Sequence, residues 1–289
     1  MRTPRDLRLQ RSASIQAGLL APVLALALLA LPARAATPDA RRIARELDAY
    51  VRPLLATQQL SGNLLVARDA HILVERSWGE ANRELGVSNA PETRFCIASV
   101  TKPMTLVLAI QLIQEDKLAL ADTLGKWIPG FPRGGQITVE HLLRHCAGIP
   151  HRVTTEKDET VPLTAADMVE YARRSTFLSL PGEKSLYSSA GYSVLARVLE
   201  LASGQSYEEL IRDRLFAPLG MAHSTHANAR TLLPLRAASY VPGLHAIENA
   251  PLKDSSFLVG AGSIWSTARD LHRLLRAVAS HRLGEGVLQ

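Results

Sequence analysis

Ser99 and Lys102 stand three residues apart in the stretch Ile97-Ala98-Ser99-Val100-Thr101-Lys102-Pro103-Met104. On a helix that spacing puts a hydroxyl and an amine on one face. A serine hydroxyl becomes a nucleophile only when a neighbour takes its proton. A lysine can take it only where burial or nearby cations leave its amine neutral. Taken alone, the pair equally suits a helix-starting serine beside a solvated lysine. A second stretch, Pro181-Gly182-Glu183-Lys184-Ser185-Leu186-Tyr187-Ser188-Ser189-Ala190-Gly191-Tyr192, offers a phenol. Tyr187 beside a serine–lysine pair can relay a proton to a leaving group; in isolation it would simply pack at a loop–helix junction.

Histidines raise a different chemistry. His141 and His145 are four residues apart and His151 follows shortly, a spacing that can hold zinc on one helix face. The order Glu140-His141-Leu142-Leu143-Arg144-His145 is not the metalloprotease arrangement, so structural roles are predicted for these side chains. Neither a metal nor a cofactor is expected. His223 and His226 precede a polar loop and are predicted at the surface. Cys96 and Cys146 lie in apolar segments and read as two small buried thiols. They could pair in an oxidising compartment, but spacing alone supplies no disulfide geometry.

The elements that must position these groups are legible from periodicity. Ile43, Leu47, Val51 and Leu54 predict an amphipathic helix from Arg41 to Leu55, ended by Ser61-Gly62. Two β-prone runs, Asn63–Ala67 and His71–Glu75, flank a polar Arg68-Asp69-Ala70 and predict a hairpin. A helix is predicted from Thr101 to about Gln114. Because proline is tolerated only where its missing N–H would be unpaired, Pro103 places that helix start near Ser99. Ser99 then sits at the positive end of a helix dipole. Further helices are predicted at Val139–His145, Thr164–Arg174, Ala190–Ala202, Ser206–Leu215 and Thr267–Val278. A helix, a strand pair and a long helical region together imply an α+β fold.

Composition sets the frame. The 289 residues are 47% hydrophobic and 21% charged, which suits a packed core. Arg2, Arg5, Arg8 and Arg11 precede an apolar run from Ala17 to Leu31, and Ala33-Arg34-Ala35 offers a cleavage site. Residues 1–35 therefore read as a signal peptide, leaving residues 36–289 as the folded domain. An uncleaved anchor is the alternative, but the run is short for a bilayer span and contains Pro22. A periplasmic or secreted protein without a stable membrane anchor is expected. Five arginines against one aspartate give the leader +4 of the chain's +6. The remaining +2 gives no support for nucleic-acid binding.

Together these stretches resemble the serine hydrolases related to class C β-lactamases, D-alanyl-D-alanine carboxypeptidases and their esterase relatives. The likeness is carried by Phe95 to Lys102, Leu142 to Pro150, Pro181 to Tyr192, Phe216-Ala217-Pro218-Leu219-Gly220-Met221, and Gly260-Ala261-Gly262 followed by Ser266-Thr267-x-x-Asp270-Leu271. They occur in the family's order from about residue 45 onward. The resemblance implies a β-lactamase/transpeptidase-like α+β fold, with an antiparallel sheet flanked by helices and a helical subdomain. It implies that Ser99 is acylated by an ester, amide or lactam carbonyl of a small-molecule or peptidoglycan-like substrate. Lys102 would be the general base, Tyr187 a general acid/base, and the Ser99 N–H one oxyanion donor.

Two departures from the family pattern follow. The tyrosine motif usually reads tyrosine-x-asparagine, but Ser189 occupies the third place. A serine is shorter and has one proton to donate where an asparagine amide accepts and donates together. That favours simple esters over β-lactams or peptides. The family's third motif, lysine-threonine-glycine or histidine-x-glycine on a late strand, has no counterpart after Gly262, and the sequence reads as C-terminally truncated. A truncated sheet would leave a lone hairpin and an incomplete oxyanion hole. The competing expectation is a hydrolase-like scaffold that binds without turnover.

Overall fold

The computed structural model describes residues 38–280 apart from residue 245, so the predicted leader lies outside the described residues. In chain order, α1 (Pro38–Ala56) precedes the strands β1 (Gly62–Arg68), β2 (His71–Trp78), β3 (Glu80–Asn82), β4 (Val87–Ser88) and β5 (Phe95–Cys96). A 3-10 turn, Ala98–Val100, opens onto α2 (Thr101–Gln114). Then come α3 (Leu124–Trp127), α4 (Val139–Leu143), α5 (Ala165–Arg174), α6 (Ser189–Ser203) and α7 (Tyr207–Ile211). The chain continues through β6 (Thr225–His226), β7 (Tyr240–Pro242), β8 (Ile247–Asn249), β9 (Ile264–Ser266) and α8 (Ala268–Ala279).

Helices α2 and α6 form the centre. α2 buries Met104, Val107, Leu108, Ala109 and Leu112, and α6 buries Val194, Leu195, Ala196, Val198 and Leu199. A helix apolar on most sides belongs in a core rather than at a surface. α6 packs against α2, α3, α4, α5 and α7, so it is the hub on which the helical portion assembles. The amphipathic helices α1 and α8 instead cover the β1–β2 hairpin, α1 against β2 and α8 against β1. Arg76 pairs with Asp48 of α1 at 3.1 Å, and Arg269 of α8 reaches Glu75 at 2.6 Å and Glu92 at 3.0 Å.

The predicted hairpin forms in register from Gly62↔Trp78 to Arg68↔His71, with a bulge between Val66 and Ala67. Among the described residues every strand ladder is antiparallel, and the α+β architecture expected from the sequence is the one observed. The ladder that matters for function is β5–β9–β6. Ile97 extends it by donating to the Ile264 carbonyl at 2.9 Å, so the residues before Ser99 are fixed to the residues after Gly262.

Several expectations are refined. α1 ends at Ala56, before Ser61-Gly62, because Gln58 takes a left-handed conformation at φ 55°. Gln58 N–H then donates to Leu55 and Gln59 N–H to Leu54, which is Schellman closure without a glycine. The helix predicted over Ser206–Leu215 divides into α7 and a π-turn, Arg212–Phe216, where Ala217 N–H reaches back to Arg212. Cys96 is exposed and Cys146 half-buried, both free thiols: Cys96 ends the edge strand β5, with its Sγ 3.4 Å from the Gly262 carbonyl, and Cys146 follows the turn after α4. His226 is not a surface residue. Its Nδ1 lies 2.8 Å from Ser263 Oγ and its ring packs edge-on to Tyr207, so burial pushes its pKa down to about 4.

Candidate active site

Helix starts build the site. Pro103 is the third residue of α2, inside the first turn where its missing N–H costs nothing. Ser99 lies in the 3-10 turn just ahead, and Ala98 before it is held at φ 45°. A residue with a Cβ adopts that conformation only under constraint, and here the Ile97–Ile264 bond and the start of α2 supply it from both sides. Ser99 is exposed, whereas Lys102 is 5% exposed. α6 supplies the other half. Ser188 is its N-cap, accepting from Gly191 N–H at 2.8 Å, so Tyr187 immediately precedes the cap and Ser189 is the first residue of the helix. Packing of α2 against α6 brings the two starts together.

The four residues predicted for the site meet there. Tyr187 Oη lies 2.7 Å from Ser99 Oγ. Lys102 Nζ donates to Ser99 Oγ at 3.2 Å, to Ser189 Oγ at 3.2 Å and to the Ala261 carbonyl at 3.0 Å. An ammonium has three protons and no acceptor, and each proton has an oxygen here. Lys102 Nζ also lies 4.8 Å from the centroid of the Tyr187 ring. Burial alone would raise the Tyr187 phenol. Hydrogen bonding toward Lys102 and Ser99, with the charge of Lys102, outweighs it and holds the phenol below its ordinary value.

The Ala261 carbonyl escaped sequence reasoning, because a backbone acceptor has no residue-type signature. It is fixed by its neighbours. Thr105 Oγ1 donates to the Gly260 carbonyl at 2.6 Å and lies 2.8 Å from Tyr207 Oη. Gly260 adopts φ 73° against Tyr192 and Ala196, where a Cβ would fall 2.6 Å from Ala196 Cβ. The signal available in the sequence was the Gly260-Ala261-Gly262 stretch itself.

The three histidines are distributed, not convergent on one point. His141 Nδ1 accepts from Thr138 N–H at 3.3 Å in the capping box of α4. His145 Nδ1 accepts from Ser188 N–H at 3.2 Å, and His151 Nδ1 from Ser189 N–H at 3.3 Å. Among the described residues, no group of three or more His, Cys, Asp or Glu side chains is gathered as a metal site would need.

Known proteins share this arrangement of sequence and fold. A putative penicillin-binding protein of Bacillus subtilis (strain 168) is 28% identical over 223 residues, covering 77% of this chain and 56% of that protein. A teichoic acid D-alanine hydrolase of Staphylococcus aureus (strain MRSA252) is 26% identical over 242 residues, covering 83% of this chain and 58% of that protein. The chain thus spans little more than half the length of these curated relatives. A solved penicillin-binding protein from Bacillus halodurans superimposes with a TM-score of 0.72 at 26% identity, over 82% of this chain and 75% of that one. Its fold is therefore the penicillin-binding, transpeptidase-like one. The Beta-lactamase family model matches residues 47–288, and the chain belongs to that family.

Proposed function

We propose that this protein is a serine hydrolase that works through an acyl-enzyme at Ser99. The observation that carries the reading is the accessible Ser99 hydroxyl held at a helix start within hydrogen-bond reach of both Tyr187 and Lys102. In the proposed cycle Ser99 Oγ attacks a carbonyl carbon and Tyr187, as phenolate, takes the hydroxyl proton. The carbonyl oxygen becomes an oxyanion facing the Ser99 N–H at the positive end of α2. Tyr187 then passes its proton to the departing alcohol or amine. Water attacks the acyl group in the second half, with Tyr187 again accepting a proton and Ser99 regaining one.

Lys102 and Tyr187 divide the proton work. With its three protons matched to three acceptors, Lys102 suits the role of a fixed cation that eases ionisation of Tyr187. Tyr187, half-exposed and with a lowered pKa, suits the base. Ser189 contributes one oxygen to Lys102 and has no amide to offer a substrate, which favours a simple ester over a peptide or β-lactam. Similarity to a D-alanine hydrolase supports a small acyl group as substrate. The leader predicted over residues 1–35 supports export ahead of a hydrolase domain at 36–289, with activity outside the cytoplasm. Among the described residues, no helix is long and apolar enough to cross a membrane.

The test is turnover of p-nitrophenyl acetate and p-nitrophenyl butyrate by the purified protein and its Ser99→Ala variant. The expected result is ester hydrolysis that the variant loses. Hydrolysis that survives in Ser99→Ala, or a folded wild type with none, rejects the proposal; the latter outcome would favour the binding-only scaffold.

A further inference from the structure

The start of α6 cannot satisfy its own backbone. A helix leaves its first N–H groups without intrahelical acceptors. Gly191 N–H is taken by Ser188 Oγ at 2.8 Å, Ala190 N–H by the His151 carbonyl at 3.2 Å, and Ser189 N–H by His151 Nδ1 at 3.3 Å. Just ahead, Ser188 N–H donates to His145 Nδ1 at 3.2 Å and Leu186 N–H to the His145 carbonyl at 2.8 Å. Each histidine therefore gives one backbone and one side-chain acceptor, His145 to the two residues flanking Tyr187 and His151 to the first two residues of α6. Their rings also touch the phenol, with centroids 4.7 Å away for His145 and 5.3 Å for His151.

We infer that His145 and His151 are positioning residues forming a two-imidazole clamp, which holds the amides of Ser188 and Ser189 and brackets the Tyr187 ring. The clamp sets the Tyr187 hydroxyl against Ser99 and the Ser189 hydroxyl against Lys102. In its catalytic consequence, the inference rests on the acyl-transfer reading of this site. His145 is held at φ 59°, a conformation costly to a residue with a Cβ. The carbonyl and side chain both bond from that conformation, which accounts for a histidine where glycine would be unstrained.

Accepting at Nδ1 requires a neutral ring with its proton on Nε2. The groups facing the pair enforce this. Burial and the charge of Lys102 hold both imidazoles below the ordinary histidine value, and Arg152 adds to the effect on His151. Tyr192 stacks on His145 at 5.0 Å, and the two histidines oppose each other's protonation. A proton on either ring removes an acceptor and sets a cation at the positive end of α6. The sign follows: because both rings are held below the ordinary histidine value of 6.5, the clamp is still intact at that pH and loosens only as pH falls further, through the lowered values.

Asparagine and phenylalanine separate the two contributions. Asn keeps an acceptor near the Nδ1 position and does not titrate; Phe keeps the ring and has no acceptor. Backbone exchange of residues 186–190 is measured by hydrogen–deuterium mass spectrometry for wild type, His151→Asn, His151→Phe and His145→Asn. Ser99 acylation by p-nitrophenyl acetate is measured from pH 4.5 to 9. The clamp predicts loss of exchange protection in His151→Phe, with acylation about 100-fold slower at little-changed KM, the cost of a displaced reacting group. Each Asn variant keeps the amide it holds protected when the pH is lowered and the wild type loses that protection. His151→Phe with wild-type protection, or Asn variants that lose protection at acid pH as the wild type does, overturns the clamp. Wild type that is not acylated at all fails the acyl-transfer reading instead, and exchange alone then decides whether the clamp exists.

Discussion

Replacing Tyr187 by phenylalanine isolates the base. The substitution keeps the ring that stacks on His145 and His151 and lies 4.8 Å from Lys102 Nζ, and removes only the hydroxyl 2.7 Å from Ser99 Oγ. The fold should barely register it. Tyr187 is 50% exposed, so the lost hydrogen bond costs at most about 1 kcal/mol of stability. The chemistry should register it strongly. With the phenol gone, the Ser99 proton has Lys102 at 3.2 Å, whose three protons already face three oxygens. Loss of a positioned base slows reaction by about 100- to 10,000-fold, which is roughly 3–5 kcal/mol of barrier. The assay is the rate of Ser99 acylation by p-nitrophenyl acetate in stopped flow. Because the Tyr187 phenol lies below its ordinary value of 10.0, the wild-type rate should rise with pH and level off before pH 10. That limb should vanish in Tyr187→Phe. A variant that acylates within threefold of wild type and keeps the limb would refute Tyr187 as the base and return the role to Lys102.

Other consequences are separable from that one. Ser189→Ala removes one of three acceptors from a buried ammonium, and urea denaturation should show about 1.5–3 kcal/mol lost; an unchanged midpoint would mean Lys102 does not depend on it. Gly260→Ala places a Cβ 2.6 Å from Ala196 Cβ and 2.8 Å from the Tyr192 carbonyl at φ 73°. Thermal melts should show a loss of at least about 2 kcal/mol, and a wild-type melting temperature would contradict the packing described. His226, with its pKa pushed from 6.5 down to about 4, gives stability present above pH 6.5 and lost as pH falls toward 4. The loss reaches roughly 3 kcal/mol. Comparing urea midpoints at pH 7 and pH 4.5 for wild type and His226→Gln checks this, because the variant should lose less.

Helices were the most legible part of this chain. Side-chain periodicity in α1 and Pro103 in the first turn of α2 state the element locally. Elements set by tertiary contact were not legible. Nothing local marks Gln58 as the left-handed closure of α1, since glycine usually takes that place. Strands β5, β6 and β9 are two or three residues long and owe their existence to one another. His226 looked exposed because its neighbours are polar, but β9 and Tyr207 cover it. At the site, residue type and spacing made Ser99, Lys102 and Tyr187 candidates, and the family resemblance gave them their roles and pointed to Ser189. The Ala261 carbonyl and the histidine acceptors could not be named that way, because they act through backbone geometry that joins segments far apart in sequence.

Acyl transfer by this protein requires a covalent bond at Ser99. Intact-mass spectrometry after incubation with a fluorophosphonate, followed by peptide mapping, reads it directly. One adduct on the peptide containing Ser99, absent from Ser99→Ala and slowed in Tyr187→Phe, is the predicted result. A folded protein that takes up no adduct, or takes it up at another residue, would contradict the assignment of Ser99 as the nucleophile.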